Sequence, residues 1–105
     1  MRLTSYLDDG RLTVALTGEI DHHCAKHYIT AIIGKIEGYT PDACILDFSE
    51  VTFMDSSGIA VVINALRGMN SLDGILRLEC VGPQPMRVFR ASGIDKLVDI
   101  EEVAP

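Results

Sequence analysis

An α/β domain is the fold that this sequence predicts, with a mixed β-sheet, an N-terminal hairpin, βα crossovers and helices packed on the sheet. Stretches with apolar residues at every second position alternate with stretches that have them at every third or fourth, in the order ββαβαβαβ. No linker-like or low-complexity stretch interrupts this pattern, and 105 residues is an ordinary length for one domain. We therefore expect residues 1–105 to fold as one unit, with right-handed crossovers placing the helices against the sheet.

Two short strands joined by an acidic turn open the chain. They are predicted at residues 3–6 and 12–17, because leucine and valine alternate with other residues in the second segment and so fall on one face. The turn at residues 8–10 (Asp-Asp-Gly) has the residue types that hairpin turns prefer. The residues predicted on the buried face are Leu12, Val14 and Leu16.

The first helix is expected to follow Asp21, whose carboxylate is a natural N-cap. Apolar residues recur there with the spacing of one helical stripe, and Gly38 and Pro41 indicate where the helix ends. The stripe consists of Ala25, Tyr28, Ile29, Ile32, Ile33 and Ile36.

A central strand and a second helix come next. Residues 43–48 are apolar except for Asp47, which predicts a strand covered on both of its faces. A short loop is expected to lead from this strand to an Asp-Ser turn and into the helix. Gly68 and Asn70 are expected to weaken the C-terminal end of that helix. Its predicted buried stripe consists of Ile59, Val62, Ile63, Leu66 and Met69.

The last third of the chain predicts a strand, a helix and a final strand. The strand is expected at residues 74–81, the helix at about 85–92 with Gly93 as its C-cap, and the final strand at 97–100. The residues predicted to be buried here are Leu76, Leu78 and Cys80 on one face of the strand, and Met86 and Phe89 on the helix.

The composition is that of an ordinary globular domain, with 48% hydrophobic and 23% charged residues. Its apolar runs are far shorter than the roughly 20 residues that span a bilayer, and the N-terminus begins no signal-peptide core. The chain has 3 cysteines and no C-x-x-C pair, which indicates a reducing compartment and argues against a disulfide framework or a zinc ribbon. We therefore expect a cytoplasmic protein in which Cys44 and Cys80 belong to the core.

The charge balance narrows the choice of partners. Fifteen acidic and nine basic residues give a net charge of −6. This excess of negative charge disfavours direct binding to a nucleic-acid backbone or an anionic membrane. A basic protein surface is the partner that the charge favours.

The most informative segment is the turn at residues 53–58 (Phe-Met-Asp-Ser-Ser-Gly), between a predicted strand and a predicted helix. A phosphate on a serine at a helix start is favoured by the helix macrodipole and accepts bonds from free backbone N–H groups. Asp55, Ser56 and Ser57 are also common helix-start residues, and taken alone they most often form no more than a cap. Two hydroxyls followed by Gly58 favour a switch, because one hydroxyl suffices for a cap and a glycine leaves room for an approaching partner.

A second unusual segment, residues 18–23 (Gly-Glu-Ile-Asp-His-His), precedes the first helix. In open α/β sheets, functional sites gather where strands end and helices begin. We therefore expect the two segments to share one edge of the domain. A phosphate on Ser57 would add about −1.5 to −2 charges at pH 7, close to Asp55 and to Asp21.

Metal binding and hydrolysis are alternative uses of these residues. His23 and His27 would share a helix face, with His22 and Cys24 beside them, but the sequence has no second ligand cluster. Ser57, a histidine and an aspartate are the residue types of a hydrolase triad, yet no G-x-S-x-G elbow and no glycine-rich phosphate loop accompany them. We therefore expect no enzymatic activity, no metal and no cofactor.

Three segments together closely resemble the STAS domain of bacterial anti-sigma factor antagonists, particularly the small sporulation-type antagonist. They are residues 18–23 (GEIDHH), 53–59 (FMDSSGI) and 88–94 (VFRASGI). They occur in the family's order and at family-like separations, and the resemblance covers nearly the whole chain. It implies a single STAS-like domain.

The resemblance also implies a mechanism of partner switching. In that family, the second serine of the D-S-S-G turn, here Ser57, is phosphorylated by a partner that is both a serine kinase and an anti-sigma factor. The unphosphorylated antagonist binds this anti-sigma factor and frees a sigma factor for transcription, phosphorylation abolishes the binding, and a PP2C-type phosphatase restores it. Asp55 would cap the helix and shape the docking site, and Gly58 would permit close approach. The implied partner-binding residues are Asp21, Asp55, Ser56, Ser57 and Gly58.

Some positions depart from the sporulation-type pattern. That pattern has a second glycine and then a basic-aromatic-basic stretch after the serine turn, and it often has polar and acidic residues after the two histidines. These departures bear on which partner is bound rather than on the switch serine. An interaction module that is not phosphorylated, in a signalling or transport assembly, is the alternative function. The departing residues are Ala60, Asn64, Ala65, Leu66 and Arg67 in the second helix, and Cys24 and Lys26 in the first.

Overall fold

A five-stranded mixed sheet forms the frame of the molecule, with its strands in the spatial order β1-β2-β3-β4-β5. The computed structural model describes residues 2–103. The first two strands pair antiparallel as the predicted hairpin, and each later neighbour pairs parallel. The strands are β1 (Arg2–Asp8), β2 (Arg11–Ile20), β3 (Ala43–Met54), β4 (Ile75–Val81) and β5 (Asp99–Glu102).

Three helices connect the parallel strands. They are α1 (Ala25–Tyr39), α2 (Ser57–Ser71) and α3 (Pro83–Ser92), and a short 3₁₀ turn at Ile94–Lys96 follows α3. This is the predicted order ββαβαβαβ. Gly93 ends α3 in the left-handed conformation with φ 83°, as expected for its C-cap. Among residues 2–103, none of the helices has the length and apolar character needed to cross a membrane.

The sheet has one covered face and one open face. Because each crossover joins neighbouring parallel strands with the same hand, all three helices lie on one side. Within the core, Phe48 and Phe89 meet edge to face, with ring centroids 5.6 Å apart. The largest fully buried side chains are Tyr28, Phe48, Phe89, Leu12, Leu16, Ile20, Ile32, Ile36, Leu46, Met54, Met69 and Leu78.

The prediction that residues 43–48 are covered on both faces is wrong. Cys44, Leu46 and Phe48 point into the core, whereas Ile45 and Asp47 lie on the open face. Ile45 is nevertheless buried, because its register partners on β2 and β4 flank it within the sheet. An apolar residue can therefore be buried by its neighbours in the sheet without a second layer of helices.

The third strand is also longer than expected. The predicted loop after residue 48 does not form, because β3 continues to Met54 and pairs with an equally extended β2. Two register shifts, between Ala15 and Thr17 and between Gly18 and Glu19, keep the two strands together. The final strand, predicted at 97–100, lies at Asp99–Glu102 instead, because the 3₁₀ turn occupies the residues before it.

The buried stripe of α2 differs in part from the prediction. Val62 and Met69 are buried as expected, but Ile59, Ile63 and Leu66 are only half-buried. The helix packs sideways on α1, and Gly68 lies where an added Cβ would be 3.3 Å from Ile33. Gly68 therefore serves helix–helix packing, and α2 continues past it. The fully buried residues of α2 are Gly58, Val61, Val62, Ala65 and Met69.

The three cysteines occupy different environments. Cys44 is fully buried as predicted, and burial raises the pKa of its thiol to about 12. Cys80 is only half-buried, because a register shift between Leu78 and Val81 turns its backbone to φ 57° and points Val81 inward instead. The prediction of Cys80 as a core residue is therefore wrong. Burial is also the main cause that raises the pKa of Cys24 and Cys80 above the ordinary thiol value.

These environments predict an order of thiol reactivity. In the native protein at pH 8, iodoacetamide should leave Cys44 unmodified, and Cys24 and Cys80 should react more slowly than a free cysteine, because the thiolate is the nucleophile. Peptide mapping by mass spectrometry measures each site. The denatured protein is the control, and there all three should react alike. Modification of native Cys44 at the rate of Cys80 would contradict the assignment.

Candidate functional site

Three strand ends meet at one edge of the sheet, and the two unusual segments lie there together. Ile20 at the end of β2 pairs with Met54 at the end of β3. The backbone N–H of Asp55 donates to the carbonyl oxygen of Ile20 over 3.1 Å. Residues 18–23 and 55–58 are thus neighbours, as their positions after parallel strands predict. The segment that follows β4 and opens α3 comes to the same edge.

Asp55 caps α2 from two residues before it. Its Oδ1 accepts a hydrogen bond from the backbone N–H of Ser57 at 2.8 Å. Ser56 stands at the formal N-cap position, but its side chain makes no capping bond. The capping role predicted for Asp55 is thus confirmed, and neither hydroxyl is needed for the cap. Ser56 is exposed and Ser57, the first residue of the helix, is half-buried.

The first turn of α2 has little free hydrogen-bonding capacity. The carboxylate of Asp55 takes the N–H of Ser57, the Asp55 carbonyl takes that of Gly58, and the Ser56 carbonyl takes that of Ile59. We expected free N–H groups to receive a phosphate, and at residues 57–59 they already have partners. A phosphate on Ser57 would instead stand beside an existing carboxylate, where the helix macrodipole still favours its charge.

Gly58 is buried and makes room for a side chain of the protein itself. A Cβ at this position would overlap the Sδ and Cγ atoms of Met54 and lie 3.1 Å from its Cε. Met54 is fully buried at the end of β3. The glycine therefore lets the start of α2 rest directly on the core. The space that we attributed to an approaching partner is filled from inside, so any part that Gly58 takes in binding is indirect.

Gln84 is a site residue that the sequence did not single out. Its Oε1 accepts from the Met54 N–H at 2.9 Å, and its Nε2 donates to the Met54 carbonyl at 2.7 Å. Strand β4 pairs with β3 only as far as Asp47, so its ladder does not reach Met54. The amide of Gln84 replaces the missing strand there. The sequence signal was a polar residue between Pro83 and Pro85, three residues after the end of a predicted strand.

Asp21 closes the turn that leads into α1. Its Oδ1 accepts from the N–H groups of His23 at 3.0 Å and Cys24 at 3.2 Å. The prediction of Asp21 as N-cap is wrong in position, because the helix begins at Ala25 and Cys24 holds the N-cap place. The Cys24 thiol bonds Asp21 Oδ1 at 3.3 Å and the Glu19 carbonyl at 3.1 Å. The thiol bond is the largest cause that lowers the pKa of Asp21.

The geometry lends no support to a metal site or a hydrolytic triad. The rings of His22 and His23 lie 3.9 Å apart on the surface. Within residues 2–103, no three His, Cys, Asp or Glu side chains are placed to hold a metal ion. Over the same range, no hydrogen bond joins Ser57 to a histidine. His22 and His23 are exposed polar residues of the turn before α1, and His27 is exposed on α1 itself.

A groove opens beside residues 55–58, the turn that the sequence predicts to be a switch (here the switch turn), between the start of α2 and the outer face of α3. We call it the α2–α3 groove; it has a volume of about 510 Å³. Phe53, 44% exposed, lies next to the same turn at the end of β3. The site thus combines hydroxyls, carboxylates and accessible apolar surface. The groove is lined by Ser56, Ile59, Gln84, Arg87, Val88, Ala91 and Ser92.

Comparisons of the sequence and of the fold with known proteins agree on one family. Residues 3–104 match the STAS domain. The chain is 30% identical to the anti-sigma F factor antagonist of Paenibacillus polymyxa over 91 residues, which are 87% of this chain and 78% of the relative. The fold matches the anti-sigma factor antagonist SpoIIAA in its unphosphorylated form, with TM-score 0.83 and 24% identity over 98% of this chain and 89% of that one. It also matches Bacillus SpoIIAA in its phosphorylated form, with TM-score 0.75 and 24% identity over 98% and 92%.

The contact between Gly58 and Met54 generates a stability prediction. Gly58→Ala should destabilise the fold by about 1–3 kcal/mol, because the new methyl group overlaps Met54. Gly34→Ala on α1 is the control: nothing lies within 4 Å of its added Cβ, so it should stabilise the helix by up to about 1 kcal/mol. Urea unfolding measures both. In a Met54→Ala background the penalty at residue 58 should shrink, and an unchanged penalty would refute the overlap.

The bonds from Gln84 generate a second prediction. Gln84→Ala should lower the unfolding free energy by about 1–3 kcal/mol, since both backbone groups of Met54 lose their partner. Amide hydrogen exchange at Met54 should quicken more than exchange in α1. Arg90→Ala on the exposed face of α3 is the control and should leave the Met54 amide unchanged. Equal protection of Met54 in wild type and Gln84→Ala would mean that the side chain does not hold the strand end.

Proposed function

We propose that this chain, which belongs to the STAS domain family, is an anti-sigma factor antagonist controlled by reversible phosphorylation of Ser57. Unphosphorylated, it binds an anti-sigma factor that is also a serine kinase, and this binding releases a sigma factor for transcription. Phosphorylation of Ser57 ends the binding, and a PP2C-type phosphatase restores it. The protein then acts in the cytoplasm as a regulator, and it is a substrate of the kinase rather than an enzyme.

The observation that carries this proposal is the position of Ser57. It is the first residue of α2, and the cap that a helix start needs is already supplied by Asp55. Its hydroxyl is therefore not needed for the cap and is available to a kinase. The relative named anti-sigma F factor antagonist supports the regulatory role, and a protein of this fold in a phosphorylated form supports the modification.

The electrostatics of the turn explain how a phosphate would act. It would add about −1.5 to −2 charges at pH 7 beside the carboxylate of Asp55, with Asp21 on the neighbouring segment. The N–H groups of residues 57–59 are taken, so these groups offer no new bonds to offset this charge. Burying such a charge unpaired in an interface is costly, and about 1.4 kcal/mol already changes affinity tenfold.

The geometry supports the proposed partner-binding set, which is Asp21, Asp55, Ser56, Ser57 and Gly58. Ser56 and Ser57 present the accessible hydroxyls, Asp55 holds them at the helix start, and Asp21 lies on the adjoining segment. Gly58 contributes indirectly, because it lets the buried side chain of Met54 pack against the turn. Phe53 adds an exposed aromatic ring, a residue type enriched among the strongest interface contacts.

An interaction module that is not phosphorylated is the second candidate. The observation in its favour is the same occupied helix start, since a phosphate would find no vacant N–H group at residues 57–59. Mapping the phosphosites of the protein from its own cells across growth phases separates the candidates. Phosphate on Ser57 whose occupancy varies with growth phase favours the switch, and its persistent absence favours the module.

The switch predicts opposite effects of two substitutions at one position. Ser57→Asp should weaken binding to the cognate anti-sigma kinase at least tenfold, and Ser57→Ala should bind like the unphosphorylated wild type and accept no phosphate. Isothermal titration and a phosphorylation assay with the purified kinase measure both. Ser71→Asp places the same charge about 20 Å along α2, at about 1.5 Å per residue, and should bind normally. Equal affinities of Ser57→Asp and Ser57→Ala would refute the switch.

A further inference from the structure

We propose that the α2–α3 groove is a second part of the partner interface, in which the anti-sigma factor places an apolar side chain next to a carboxylate that pairs with Arg87. This inference rests on the proposed function and adds a surface that the phosphorylation motif does not contain. It assigns part of the partner's specificity to α3, about thirty residues after the switch in the sequence.

The groove is continuous with the switch turn. Ser56 forms part of its wall and is followed directly by Ser57. Gln84 lies in the groove and is the residue that holds Met54, so the groove and the turn share one support. A partner that covers the Ser57 hydroxyl therefore also reaches the groove, because the residue next to Ser57 in the chain forms part of the groove wall.

The lining fits an apolar side chain. Ile59 and Val88 are half-buried in its walls, and Ala91 is exposed on α3. At about 510 Å³ the groove has room for one or two side chains, and a well-filled pocket of this kind is where interface energy concentrates. Its seven lining residues are far fewer than the roughly 20–30 residues that each partner contributes to a standard interface, so the groove by itself suits a projecting side chain of another protein.

The charge at the rim fits a carboxylate. Arg87 is exposed, and among residues 2–103 no acidic side chain pairs with it. The arginines at positions 77 and 90 each have acidic partners within the fold. In a chain of net charge −6, an unpaired guanidinium beside an apolar groove provides a local positive site, and its planar fork suits a carboxylate.

Two pairs of variants test this groove. Arg87→Glu reverses the rim charge, and Lys35→Glu is its control: it makes the same charge reversal on α1, two residues after Ile33, which packs beside Gly68 near the C-terminal end of α2. Ala91→Trp fills the groove, and Asn70→Trp adds the same ring at an exposed position near the end of α2. All four sites lie on helix surfaces, and circular dichroism and urea unfolding check that each variant folds like the wild type.

The measurement is isothermal titration of each variant into the purified cognate anti-sigma kinase, with wild type and Ser57→Asp alongside. We expect Arg87→Glu and Ala91→Trp to weaken binding at least tenfold, with both controls within twofold of wild type. A lysine in place of the partner's pairing carboxylate should recover most of the affinity lost in Arg87→Glu. That rescue would establish the ion pair, since a merely structural effect of residue 87 would not respond to a change in the partner.

The outcomes separate this inference from the function on which it rests. If Ser57→Asp loses binding while Arg87→Glu and Ala91→Trp bind like their controls, the switch stands and the groove is not part of the interface. If the wild type does not bind the kinase, the proposed function itself fails and the groove assignment falls with it. If sedimentation shows a dimer of this chain that Ala91→Trp disrupts, the groove belongs to self-association and the inference is overturned.

Discussion

The site depends on how the end of β3 is held beyond the reach of β4. A parallel ladder satisfies backbone groups on both sides of a central strand, but the β3–β4 ladder stops at Asp47, seven residues before the strand ends. An unpaired buried N–H and carbonyl at Met54 would be costly. The side-chain amide of Gln84 pairs with both groups, and β2 holds the strand on its other side. Everything that follows Met54, including the start of α2, takes its position from this arrangement.

The fixed strand end explains why the helix start is so closely packed. Met54 is buried, and it occupies the space that a side chain at position 58 would need. The helix therefore begins directly on the core, with Asp55 as the only linker residue before Ser56. Because Asp55 both accepts from Ser57 and donates to Ile20, the same residue caps α2 and ties it to β2. Ser57 is thus presented by a rigid turn rather than by a loop.

Much of the fold was predictable because it follows from local patterns. The hairpin, the C-terminal ends of α1 and α3, and the meeting of two segments at one sheet edge all follow from periodicity, turn residues and crossover rules. Features that depend on register were not predictable. The extension of β3 rests on two shifts in its pairing with β2, and a shift at β4 moves Cys80 out of the core. Ile45 is buried by in-sheet neighbours, which no single-strand pattern records.

The candidate site divides in the same way. Asp55, Ser56 and Ser57 were found because capping chemistry has a sequence signature, whereas the partnership of Gln84 with Met54 joins residues thirty positions apart. From the sequence, we interpreted Gly58 as leaving room for an approaching partner. In the structure, that room is taken by Met54 of the core.

A rigid turn changes what a phosphate has to do. In a flexible segment, an added charge acts by ordering or releasing the chain, but here the turn is already bonded at the N–H groups of residues 57–59 and supported by Met54. A phosphate on Ser57 would gain few new bonds from its own protein, so its effect would fall on whatever surface faces it. Under the proposed function, affinity would change through repulsion and unpaired desolvation at the interface, and no rearrangement of the domain would be required. The domain would then act as a switch through its change of charge alone.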